Sequence, residues 1–161
     1  SNFVTGCTML VRAESARKAV PFCPHMVHDH YIALCCAAAG EIRSLSRPLI
    51  RYRIHGGNQT GLMAGVTGRK SYQQIRIDLP LEKFRWLERE FPYRESLKEA
   101  IRQRRLWLEA RQQNWATGKG KQLVWKCRQF SPLAALFEVA LRWLPEPAIR
   151  WVIWLVRKNI I

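Results

Sequence analysis

The sequence is short of aspartate, of paired cysteines and of long apolar runs, and each shortage closes off a class of function. Asp29 and Asp78 are the only aspartates in 161 residues and stand 49 positions apart, so the chain holds no Asp-x-Asp pair to grip a divalent cation. The five cysteines (Cys7, Cys23, Cys35, Cys36 and Cys127) form no Cys-x-x-Cys spacing. An odd set of this kind suits core filling in a reduced, cytosolic compartment rather than a disulfide framework. No stretch supplies the roughly 20 apolar residues of a membrane-spanning helix. Neither a Gly-x-Ser-x-Gly elbow nor a Gly-x-Gly-x-x-Gly or Walker loop occurs.

What the chain has in surplus is positive charge. The formal net charge is +15, unevenly spread: residues 1–68 carry seven Lys/Arg against three Asp/Glu, a net +4, and residues 69–161 carry twenty against nine, a net +11. Such an excess suits an anionic membrane surface or a nucleic acid, or else it is a solvated helical surface. Glu82, Glu88, Glu90, Glu95 and Glu99 interrupt the basic residues, and no recognised nucleic-acid motif accompanies them. An anionic membrane is therefore the expected partner and nucleic acid is not. A basic nucleic-acid-binding or membrane-surface adaptor module without catalysis is the alternative reading of the whole chain.

Three parts follow one another. In residues 1–68 apolar runs alternate with turns, the pattern of an α/β unit. Phe3–Val11 is apolar and β-rich and reads as a strand, Arg12–Val20 as a short helix, and Pro21-Phe22-Cys23-Pro24 as an extended loop. Tyr31–Ala39 reads as a helix capped by Asp29 and stopped by Gly40, apolar nearly all round and hence buried. Glu41–Leu45 and Leu49–Ile54 read as strands about a turn at Ser46-Arg47-Pro48. Five of the nine glycines fall between Gly56 and Gly68, which marks a loop or linker.

Residues 69–131 read as a basic helical extension, with helices over Lys70–Phe91, interrupted at Pro80, and over Arg94–Trp115, ending near Gly118. Phe84, Leu87 and Phe91 make one packing stripe; Leu97, Ile101 and Leu108 make another. In residues 132–161, Glu138, Arg142, Glu146 and Arg150 recur every four positions, with Leu136, Val139, Trp143, Trp151 and Trp154 largely elsewhere around a helix. Pro145 and Pro147 split this stretch into two amphipathic segments, suited to lying in a bilayer interface or to packing as a hairpin. The opening Ser1-Asn2-Phe3 lacks a Met and lies inside an apolar run, so the chain reads as a piece of something longer.

Polar groups gather at the ends of these elements. His25-x-x-His28-Asp29-His30 could suggest a metal site, but residues 28, 29 and 30 fan apart on a helix and do not form a closed zinc shell. Asp29 is the sharper feature. A carboxylate at a helix N-terminus is held ionised by free N–H groups and the helix dipole. That setting suits a general base that takes a proton from a hydroxyl, and equally a plain helix cap.

Gly6-Cys7-Thr8-Met9, His28-Asp29-His30-Tyr31 and Tyr52-Arg53-Ile54-His55-Gly56-Gly57-Asn58 follow one another within Asn2–Gly61. Together they resemble the C-terminal half of the catalytic domain of family 2 glycosyltransferases, of the GT-A fold, and within it the bacterial rhamnosyltransferase-like group. The resemblance implies a partial GT-A, Rossmann-like α/β unit in residues 1–68. It implies inverting transfer of a sugar such as rhamnose from a nucleotide-sugar donor to a lipid-linked or polysaccharide acceptor. The reaction would run in cell-surface glycan synthesis, peripherally at the cytoplasmic face of the plasma membrane.

Asp29 would be the catalytic base toward the acceptor hydroxyl. His55 would meet the divalent metal (Mg2+ or Mn2+) of the complete enzyme, or the leaving diphosphate. Gly6, Cys7, His28, His30, Tyr31, Arg53, Gly56, Gly57 and Asn58 would line the substrate site, with the last three opening a loop over the donor. His30-Tyr31 departs from the more usual Trp-Trp or Trp-aromatic pair on the acceptor side. The family's Asp-x-Asp motif belongs to an upstream nucleotide-binding half, which two distant aspartates cannot supply. The resemblance therefore implies a chain inactive alone that completes a site formed elsewhere.

Overall fold

The computed structural model describes residues 4–51, 53, 63–126, 138 and 144–157. Helix α1 (Ala13–Lys18) ends on an exposed Lys18–Glu14 ion pair of 2.8 Å. Helix α2 (His28–Ala39) begins directly after the extended Val27 and stops at Gly40. From Arg69 to Glu90 the chain is helical, as α3 (Arg69–Gln73), a π-helical stretch (Gln74–Asp78) and α4 (Leu79–Glu90). A short turn leads into α5 (Arg94–Thr117), and α6 (Lys121–Lys126) and α7 (Glu146–Arg157) follow.

The break expected at Pro80 is instead the π-helical turn just before it. Proline has no N–H to give to the carbonyl four residues back, and its ring presses on that carbonyl. The wider π turn takes up the misfit without ending the helix. Helix α5 runs long because its residues are mostly strong helix formers, and it ends where Gly118 takes a left-handed φ of 75°.

The core is built by helix faces. Ala19, Cys23, Tyr31 and Cys35 pack against Leu87, Phe91 and Ile101, with Phe84 and Leu97 beside them. Both predicted stripes thus face inward, and the cluster joins residues on either side of the glycine-rich stretch. A second cluster sets Ile149 and Ile153 of α7 on Met63, Val66, Tyr72 and Ile77. Leu81, Trp107 and Leu108 close the α4–α5 hairpin.

The α/β expectation fails. Among the described residues there is no strand: residues 4–11 are coil around a 3-10 turn at Gly6–Thr8, and 41–45 and 49–51 are coil. Leu10, Ile42, Leu45, Leu49 and Ile50 are exposed. A strand exists only where a neighbour completes its ladder, and β-rich composition without one leaves the backbone to water. Helix α2 departs from expectation as well. It buries Tyr31, Ala33 and Cys35, which lie on different sides of the helix, but exposes Ala37 and Ala39, so its middle is enclosed while its last turn meets water.

Candidate functional site

The corner where the Gly6–Thr8 turn meets the start of α2 holds the carboxylate singled out by the sequence. Asp29 is the second residue of α2, not its cap; Val27 occupies that position. Its side chain turns back across the chain, and Oδ2 accepts the Gly6 N–H at 2.9 Å while Oδ1 accepts the His30 N–H at 2.7 Å. A Cβ on Gly6 would meet Asp29 at 3.5 Å, ordinary contact, so the contact uses the backbone N–H rather than the small side chain. Partial burial pushes the Asp29 carboxyl up. The backbone bonds from His30 and Gly6 and the nearby histidines outweigh it and hold the group below the usual aspartate range. Asp29 is therefore an ionised, half-exposed carboxylate at a helix start.

Around it, His28 is exposed and His30 is half-buried. Burial lowers His30, the Asp29 carboxylate works against that, and Lys83 adds to the lowering; the net direction is down, toward the neutral imidazole. Cys7 sits exposed in the turn beside Gly6. Tyr31 is buried, with edge-to-face contacts to Phe22, Trp86 and Phe91 at ring separations of 6.3, 5.7 and 6.0 Å. It also lines an open pocket of about 430 Å³ together with Phe22, Trp86 and Arg89. Arg53 lies in exposed coil. His55, Gly56, Gly57 and Asn58 fall outside the described residues. Gly6, Cys7, His28, Asp29 and His30 thus come together, whereas Tyr31 on the same helix is buried in the core cluster.

The sequence reading missed a second polar centre. Arg111 of α5 is buried, and its Nε donates to both Glu138 oxygens at 3.0 and 2.8 Å while Nη2 also reaches Oε1. The Tyr72 hydroxyl donates to the same Oε1 at 2.9 Å. Burial opposes the Arg111 charge, but the bonds to Glu138 more than offset it and its pKa is raised. The guanidinium also lies 4.4 Å from the Trp107 ring centroid. The sequence places Glu138 in a row of charges spaced by four; that spacing gives a shared side but not which way that side faces. Tyr72, Arg111 and Glu138 are all buried, and their bonds tie α3 and α5 to Glu138.

Among the described residues no three of His, Cys, Asp and Glu gather to hold a metal ion. No protein-family model, no curated protein and no solved structure matches the chain. What bears on function is thus the residue arrangement itself and the three sequence motifs.

Proposed function

We propose that this chain contributes the acceptor side of an inverting glycosyltransferase that uses a nucleotide-sugar donor and a lipid-linked or glycan acceptor. The observation that carries the reading is the Asp29 carboxylate, ionised and bonded to the Gly6 N–H, which joins two of the three motifs across 23 positions. One Asp29 oxygen accepts the proton of the acceptor hydroxyl as the hydroxyl oxygen attacks the anomeric carbon. The bond from that carbon to the nucleoside diphosphate breaks, and the proton passes on to solvent. His28 and His30 flank the base and offer hydrogen bonds to the acceptor.

The described residues do not supply a shell for the divalent cation that the resemblance implies, so no step is routed through it. The reading concerns residues and their arrangement; the GT-A architecture is not carried with it. Its place of work is peripheral, at the cytoplasmic face of the plasma membrane, where lipid-linked acceptors are presented. No helix among the described residues is long and apolar enough to cross a membrane.

Asp29→Asn keeps the size of the side chain but removes its basicity. In the full-length enzyme it is expected to lower kcat by roughly 10²–10⁴-fold with little change in nucleotide-sugar binding. Turnover within a factor of a few of wild type would reduce Asp29 to a clamp between Gly6 and the start of α2, a role that its two bonded oxygens also fit.

A further inference from the structure

The outer face of α7 takes no part in the site above. Ile149 and Ile153 are 0% and 2% exposed and anchor one side of the helix in the core. Trp151 and Trp154, three positions apart and so neighbours on one face, are 62% and 51% exposed. Arg150 and Pro147 are exposed on the same side. A single outward aromatic is ordinary; two on one face of a helix whose opposite face is fixed make a surface that prefers not to face water. Arg150 pairs with Glu146 Oε1 at 3.5 Å yet stays 69% exposed, which leaves its charge largely available to a partner.

Charge decides the partner. A second copy of this chain would bring Arg150 toward its own symmetry mate between bodies of net charge +15. Duplex nucleic acid would take the arginine but gives two tryptophans no base face to stack on. An anionic bilayer accommodates both: indole rings settle at headgroup depth, half in the acyl boundary, and the arginine meets lipid phosphates. We infer that the Trp151–Trp154–Arg150 face of α7 docks on anionic phospholipid, with the helix lying in the plane of the interface. This goes beyond the glycosyl-transfer reading and does not depend on it.

The test is co-sedimentation of the chain with vesicles of phosphatidylcholine, with and without phosphatidylglycerol. Wild type should partition onto the anionic vesicles, and about 0.5 M salt should weaken binding several-fold. The W151S/W154S double variant should lose about tenfold or more of the binding. Both side chains are exposed, so the variant should keep its helical circular dichroism, and R150E should weaken binding with both tryptophans in place. As a second readout, brominated acyl chains should quench wild-type tryptophan fluorescence more than that of the double variant. Equal binding by wild type and a folded double variant would overturn the inference. So would equal partition onto neutral and anionic vesicles, or retention by DNA with none on anionic lipid.

Discussion

Asp29 owes its state to two backbone N–H groups, one local and one from a turn 23 residues earlier. This arrangement has a pH signature. A carboxyl held below its ordinary value favours the folded chain when ionised, so its contribution is present above the unfolded pKa near 3.8 and is lost as pH falls through the lowered folded value. Thermal melts followed by circular dichroism should therefore show wild type losing stability more steeply below about pH 4 than Asp29→Asn. Parallel pH profiles would mean that the Gly6 bond does not form in solution.

Thiol chemistry checks the same region. Cys7 is exposed, whereas burial pushes the Cys23 and Cys35 thiols up. Iodoacetamide should label Cys7 first, and Cys23 and Cys35 only after denaturation, as read by peptide mass spectrometry. Asp29 was legible because aspartate is scarce and this one opens an apolar helix. Tyr31 was not, since an aromatic one turn into a helix serves a ligand or a core equally well, and only the positions of Phe22, Trp86 and Phe91 decide between them.

The elements were legible in proportion to how local their causes are. The reading of α5 came close because helix-forming composition and a terminal glycine act within one turn; α4, which ends without a glycine, came close through its apolar stripe of Phe84, Leu87 and Phe91. The strands failed because pairing partners are not local: composition favours extended backbone but cannot provide the neighbouring row. The π turn also escaped notice, although its cause, Pro80, was in plain view; a proline states that an α bond is missing and not how the chain absorbs the loss. A π turn behaves as one residue inserted into an α-helix. Deleting the exposed Arg76 should restore α geometry but drive the Pro80 ring into a carbonyl, while Pro80→Ala should remove that clash. The deletion combined with Pro80→Ala should thus be more stable than the deletion alone by about 3 kcal/mol, measured by urea unfolding. Equal stability would show that Pro80 does not cause the π turn.

At the level of the whole molecule, the Arg111–Glu138–Tyr72 cluster joins α3, α5 and the region before α7 through charges out of reach of water. Removing one partner strands the other. Arg111→Met or Glu138→Leu alone should each cost about 3–5 kcal/mol in denaturant unfolding, whereas the double variant should recover most of that loss. Additive losses would place the pair in contact with solvent. The C-terminal helix is tied in separately. The Arg69 N–H donates to Glu146 Oε1 at 3.1 Å and Arg69 Nη2 to the Leu144 carbonyl at 2.7 Å, and the Glu146 carboxylate lies so close to Gly68 that a side chain there would collide with it.

These ties set a timetable on the ribosome. Tyr72 is translated 66 residues before Glu138 and Arg111 27 residues before it. At about 5–20 residues per second, Tyr72 waits roughly 3–13 s for its acceptor. Until Glu138 leaves the exit tunnel, Arg111 must keep its water, and the interior between α3 and α5 stays open.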